Sequence, residues 1–104
     1  MKGLLSIIIP SYNEGLLIDN TANVVVDIMT EHKIPYEILF VDDGSKDDTW
    51  NRIQTASEKH EHVRGVHFSR NFGKESAITA GLTYARGIVV LSWTVIYNIH
   101  QLKL

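Results

Sequence analysis

The chain has 104 residues, with no cysteine and only two prolines. Without cysteine there is no disulfide framework, no thiolate nucleophile and no sulfur ligand for a metal. That usage fits a cytoplasmic protein. Basic residues are not in excess either. Ten Lys and Arg stand against twelve Asp and Glu, for a net charge of -2. A nucleic-acid binder normally carries a basic face, so that class is not expected. No apolar run reaches the roughly 20 residues that a membrane-spanning helix needs. The first apolar stretch, residues 4–9, is short and leads into Pro10-Ser11-Tyr12-Asn13-Glu14 with no small-residue cleavage site. It reads as a buried strand rather than a signal peptide. The P-loop, Gly-x-Ser-x-Gly and Gly-x-Gly-x-x-Gly signatures are all missing, and lack of the last argues against a dinucleotide-dependent oxidoreductase. A final absence is local. The seventeen residues from Ile88 to Leu104 contain no carboxylate.

What remains is an ordinary globular composition, 44% hydrophobic and 21% charged, in a chain long enough for one domain or part of one. Its pattern alternates strand and helix. Leu5–Pro10 is a continuous, β-branched run, as in a strand covered on both faces. Residues from Leu16 to about His32 have helical spacing, with Leu17, Val24, Val25, Ile28 and Met29 on the apolar side. Pro35 closes that segment. Glu37–Asp42 is a second buried strand. Ser45 and Asp48 have capping-box spacing before a helix over about Lys46–Lys59, with Trp50, Ile53 and Ala56 facing inward. Arg64–Phe68 is a third strand. Gly73-Lys74 opens a third helix, with Gly81 allowing close approach to the sheet and Gly87 as a left-handed stop. Ile88–Ser92 is a fourth strand. Strands spaced by helices predict an α/β fold with a mostly parallel sheet.

In such sheets ligands bind beyond the carboxyl ends of the strands. Three polar segments fall there. Pro10-Ser11-Tyr12-Asn13-Glu14 offers a stiff strand exit and an aromatic face for a base, or else a turn with Asn13 as a helix cap. Asp42-Asp43-Gly44-Ser45 carries two carboxylates that must point in different directions. One can accept from a base N–H or a ribose hydroxyl while the other braces the loop, or both can serve helix capping. Arg70 and Lys74 flank an Asn-Phe-Gly turn at a helix start. Cations there call for an anion such as a diphosphate, which would also take up free N–H groups, or they form a solvated basic turn. His60-Glu61-His62 has the residue types of a metal site but sits in a polar helix end and reads as solvated surface.

Taken together, residues 6–14, 36–45 and 68–75 resemble the family 2 glycosyltransferases in order and spacing. The third segment is most similar to the branch that glycosylates undecaprenyl phosphate, near dolichol-phosphate mannose synthase. The resemblance covers residues 4–87 and implies a GT-A fold, a UDP- or GDP-sugar donor and a polyprenyl-phosphate acceptor at the cytoplasmic face of a membrane. It implies a nucleotide pocket formed by Pro10, Tyr12, Glu14, Val41 and Asp43, with Arg70 and Lys74 near the diphosphate. Tyr12 and Asp43 are then expected on one rim.

After Gly87 the resemblance stops. The family continues with a strand and an Asp-x-Asp-Leu-Gln-x-Pro-Pro motif that binds Mg²⁺ or Mn²⁺, followed by an acceptor half. The genetic code offers a test of the departure. Trp93 has a single codon, TGG, and the frame one base earlier makes Trp93-Thr94 encode aspartate. Carried on to Gln101, that frame permits Met-Asp-x-Asp-Leu-Gln-x-Pro-Pro. The chain therefore divides into 1–87, the nucleotide-sugar-binding part, and 88–104, an aberrant apolar tail ascribed to a frameshift or else to a natural short paralogue. No catalytic or metal-ligating residue is assigned within it. The expectation is an inactive transferase fragment, or alternatively a nucleotide-binding or dimerising module, with its tail pairing two chains.

Overall fold

The computed structural model describes residues 3–90. The elements are β1 (Leu5–Ser11), α1 (Gly15–Glu31), β2 (Tyr36–Asp42), α2 (Thr49–Lys59), β3 (Val63–His67), α3 (Lys74–Tyr84) and β4 (Ile88–Val90). The strands form one sheet in the order β3-β2-β1-β4, with every neighbouring pair parallel. Side-chain alternation along the strands divides the core in two. Ile7, Ile9, Ile38 and Phe40 point to the face covered by α1 and α2, where Ile18, Val25, Ile28, Met29 and Ile53 meet them. Ile8, Leu39 and Val41 point to the other face and pack on Ala77 of α3. Both faces are therefore covered, which is why Ile7–Ile9 of β1 and Ile38–Val41 of β2 read as unbroken apolar runs. Each fully buried Ile, Leu or Phe contributes roughly 2 kcal/mol of hydrophobic stabilisation.

The helical periodicity places most side chains correctly. In α1 the buried stripe is Ile18, Ala22, Val25, Ile28 and Met29, at the spacing of one helix face. Leu17 was expected inward, but it precedes the centre of that stripe by one position and is exposed. In α3, Gly81 lies directly over Ile8, so that any Cβ there would collide with the isoleucine side chain. The close approach read from the sequence is present.

Two helix boundaries differ from the sequence expectation by more than one residue. α2 starts at Thr49 rather than near Lys46, and Ser45 and Asp48 form no capping box. Ser45 Oγ instead accepts from the Asn13 N–H, while Asp48 pairs with Arg52 one turn on. Loop-to-loop bonding has displaced the local cap. α3 ends at Tyr84, and the chain turns extended at Ala85 (φ -67°, ψ 141°). Gly87 is therefore not a left-handed stop; its N–H donates to Ser6 Oγ and ties the loop to β1. The fourth strand is described over Ile88–Val90, and the remainder of the expected strand and tail lies outside the described residues.

Candidate functional site

β2 and β3 lie on one side of β1 and β4 on the other, which places a topological switch beside the carboxyl end of β1. An open pocket of about 230 Å³ lies there, lined by Pro10, Ser11, Tyr12, Glu14, Asp43 and Lys74. Tyr12 is 43% exposed, so its ring is available to a flat ligand. Tyr12 and Asp43 share this rim, as the sequence suggested. The position is the one where open α/β sheets hold ligands.

The loop after β1 is held by an exchange with the loop after β2. Asn13 adopts a left-handed backbone (φ 52°), which asparagine tolerates. Its N–H donates to Ser45 Oγ at 2.8 Å, and its Oδ1 accepts from the Lys46 N–H at 2.8 Å. Asn13 is thus a brace between loops, not the cap of α1. That helix begins after Glu14, whose N–H donates to Thr49 Oγ1. Asp47 accepts from the Gly15 N–H and from the Thr49 hydroxyl. The Thr49 bond, ahead of a smaller opposing burial effect, holds the Asp47 carboxyl below its ordinary range.

The two adjacent aspartates point in different directions. Asp42 is fully buried; its Oδ1 accepts from the Ser45 N–H at 3.0 Å and its Oδ2 lies 2.7 Å from His67 Nδ1. The His67 ring stacks on Trp50 at 4.7 Å. Asp42 is therefore the loop brace. Asp43 reaches the pocket, yet it also accepts from the Phe72 N–H at 2.8 Å, the Gly73 N–H at 3.1 Å and Asn71 Nδ2 at 3.2 Å. It caps the turn leading into α3, the helix on the opposite face of the sheet, and not the following α2. Gly44, in left-handed backbone (φ +71°), allows this by letting its backbone lie against the Arg70-Asn71 peptide, where a Cβ would clash.

Of the seven residues assigned to the pocket, Pro10, Tyr12, Glu14, Asp43 and Lys74 come together. Two do not. The Val41 side chain is fully buried and packs with Ile8, Leu39 and Ala77, because its position on β2 faces α3. Arg70 is exposed and its guanidinium lies over the Phe72 ring at 4.8 Å, away from the pocket lining. The free N–H groups expected for a diphosphate are also partly spent, since Asp43 holds those of Phe72 and Gly73. Ser11 in the pocket wall, Asn71 against Asp43, and His67 beside Asp42 were missed. The Asn-Phe-Gly turn was a signal for Asn71, since asparagine favours such turns.

Among the described residues, no three His, Asp or Glu side chains converge as a metal site. The pocket offers only Glu14 and Asp43, and the Asp43 oxygens are already occupied by N–H donors. These residues do not fit a divalent cation. His60 bonds Asn23 at 3.2 Å, while His62 packs edge-on against Tyr36. Among the described residues, no helix is long and apolar enough to cross a membrane.

Comparison with known proteins agrees with this architecture. The chain is 44% identical over 93 residues to the putative glycosyltransferase CsbB of Bacillus subtilis, covering 86% of this chain and 27% of that protein. It is 36% identical over 92 residues to the undecaprenyl-phosphate 4-deoxy-4-formamido-L-arabinose transferase of Shewanella sediminis, covering 85% and 27%. In structure it is similar to the mannosyltransferase PcManGT from Pyrobaculum calidifontis, solved in complex with GDP-Man and Mn²⁺. The TM-score is 0.68 at 27% identity, over 84% of this chain and 26% of that one. The chain thus spans about a quarter of the length of these relatives. The fold is the α/β, Rossmann-like sheet of the GT-A glycosyltransferases. The sequence profile of glycosyl transferase family 2 matches residues 6–94, and the chain belongs to that family.

Proposed function

We propose that this chain is the donor-binding part of a glycosyltransferase that moves a sugar from a UDP- or GDP-sugar to a polyprenyl phosphate at the cytoplasmic face of a membrane. The observation that carries the reading is the shared pocket of Tyr12, Glu14, Asp43 and Lys74 at the sheet's switch point. In this reading the Tyr12 ring covers the base and Asp43 accepts from a base N–H. Lys74, at the first position of α3, meets the diphosphate together with the helix start. The polyprenyl-phosphate acceptor is supported by the relative from Shewanella sediminis, whose name states undecaprenyl phosphate.

Binding and transfer separate in this chain. The family resemblance places a metal-binding acidic pair after the fourth strand, and residues 88–104 supply no carboxylate. Division into a binding part, 1–87, and a frameshifted tail, 88–104, accounts for that. Calorimetric titration with UDP, UDP-glucose and GDP should show binding of at least one, without sugar transfer to a polyprenyl phosphate with or without Mn²⁺. No heat with any of the three overturns donor binding. Metal-dependent turnover overturns the separation. The DNA sequence around codons 86–88 tests the frameshift directly.

A second reading, chain pairing, is favoured by one observation. β4 is an edge strand among the described residues, with Ile88 67% exposed and Leu82 and Tyr84 of α3 also exposed. Edge strands with apolar neighbours invite pairing. The tail that would take part lies outside the described residues. Light scattering should find a dimer that weakens when residues 93–104 are deleted; a monodisperse monomer at high concentration refutes it.

A further inference from the structure

Asp43 is only 4% exposed, although it borders the pocket. Its oxygens are crowded. Oδ1 accepts from Phe72 N–H at 2.8 Å and Gly73 N–H at 3.3 Å. Oδ2 accepts from Gly73 N–H at 3.1 Å and Asn71 Nδ2 at 3.2 Å. A carboxylate has about four acceptor directions, and here three donors of a single turn engage them, the Gly73 N–H being shared between both oxygens. Asn71 Nδ2 also donates to the Asp43 carbonyl oxygen at 3.1 Å. One amide therefore spans the main chain and the carboxylate of the same residue, which fixes the rotation of the Asp43 side chain. Among the described residues no ion pair reaches Asp43. Its charge is met by N–H dipoles alone, all from residues 71–73.

We infer that Asn71 is a positioning residue for nucleotide binding, and that occupancy of the pocket is coupled to the turn at residues 71–73 through Asp43. This rests on the reading that Asp43 accepts from a nucleoside. Any such ligand donor must share or displace a donor already present. The long bonds from Gly73 and Asn71 yield first, and the short bond from Phe72 holds the carboxylate in place. The turn cannot slide aside, because the Gly44 backbone lies against the Arg70-Asn71 peptide. The adjustment is therefore passed along the chain to Lys74, the next residue and the cation of the pocket. The turn thus links the base-reading carboxylate to the phosphate-reading lysine. Arg70, stacked on Phe72, flanks the same turn and lies outside the pocket lining.

The test uses the full chain labelled with ¹⁵N and titrated with UDP, GDP, uridine and guanosine. Three signals are followed: the backbone amides of Phe72 and Gly73, and the side-chain amide of Asn71. The diphosphate that binds should shift all three, and its nucleoside alone should also shift them. Asn71→Ala should weaken both ligands by about tenfold, the worth of one lost hydrogen bond to a charged group. Lys74→Ala should weaken the diphosphate and leave the nucleoside unchanged. A packing role for Asn71 alone would not produce this match between nucleoside and diphosphate. Unchanged affinity in Asn71→Ala overturns the inference while leaving donor binding intact. Wild-type binding that moves the Tyr12 and Lys74 amides but leaves Gly73 and Asn71 still overturns it too, whether or not the variant folds. Absence of binding by the wild type to either diphosphate overturns donor binding and the inference together.

Discussion

The two ends of the sheet handle buried charge in opposite ways. At the amino end, Glu37 is buried near the start of β2 and meets a full positive charge. Its Oε1 accepts from Arg64 Nη2 at 2.6 Å, and its Oε2 accepts from Ser6 Oγ at 2.6 Å and the Arg86 N–H at 2.7 Å. Arg64 also donates to the Tyr84 carbonyl oxygen. One side chain thereby joins β1, β2, β3 and the loop after α3. At the carboxyl end, Asp42 and Asp43 meet backbone N–H groups, an asparagine and a histidine, and a pocket opens beside them. A smaller opening of about 120 Å³ lies beside Glu37 as well, but there a full counter-charge meets the carboxylate, whereas N–H dipoles hold Asp43 without a cationic partner. The amino end ties strands together through an ion pair, and the carboxyl end holds its carboxylates by loop donors at the rim of the larger opening.

The largest test of that contrast is Glu37→Ala. It strands Arg64, whose Nε is already buried without an acceptor, along with Ser6 and the Arg86 N–H. Removing one partner of such a pair costs about 3–5 kcal/mol, a large share of the roughly 5–15 kcal/mol that holds a domain. Urea denaturation should show this loss, while the fraction that remains folded binds nucleotide with unchanged affinity. Loss of affinity without loss of stability would break the division between the ends. The acid response has a defined sign. Burial raises the Glu37 carboxyl, but the bonds from Ser6, Arg86 and Arg64 outweigh it and hold the pKa below its ordinary 4.5. The stabilisation is then complete above the unfolded value and disappears as pH falls through the lower, folded one. Glu37→Gln should flatten that part of the acid-unfolding curve.

Asp43→Asn is the matching change at the other end. It keeps one acceptor oxygen for the turn but sets an NH₂ group against the N–H donors of Phe72 and Gly73 or the amide of Asn71. The stability cost should be smaller, about 1–3 kcal/mol. Unlike the Glu37 variant, it should also weaken UDP or GDP in calorimetry. Equal affinity for wild type and variant would remove Asp43 from base recognition.

How much of this was legible depended on the range of the interaction. Helix faces and strands followed from spacing, so Ile53, Ala56 and the Gly81 contact were found without the structure. The meeting of Tyr12, Glu14, Asp43 and Lys74 followed from strand ends in a parallel sheet, where topology does the assembling. Residues whose partners lie far along the chain were illegible. Ser45 looked like a cap because Asp48 is three residues away, but its actual partner is Asn13, 32 residues away. Glu37 was counted as an ordinary strand residue, since nothing local announces Arg64 or the Arg86 N–H. Val41 was carried into the pocket by resemblance, and alternation along β2 turned its side chain into the core instead.

The smallest effect concerns left-handed backbone, which the two ends also treat differently. At the carboxyl end those positions are Asn13, Gly44 and Gly73, residue types suited to them; at the amino end the position is Lys33, with φ 56°. Lys33 follows α1, and the bonds there run from the Lys33 N–H to the Thr30 carbonyl and from the Ile34 N–H to the Met29 carbonyl, a Schellman closure. Glycine is the usual residue in that place. A side chain held there costs about 1–2 kcal/mol, and glycine gives back about 0.5–1 kcal/mol in unfolded-state entropy. Lys33 is exposed, so little packing is lost with its side chain. Lys33→Gly should therefore stabilise the chain by about 0.5 kcal/mol, a rise of roughly 2–4 °C in Tm for a domain of this size. A fall in Tm would mean that the Lys33 side chain supports the turn in a way its exposure does not reveal. Nucleotide affinity should be unchanged, since the pocket lies at the opposite end of the strands.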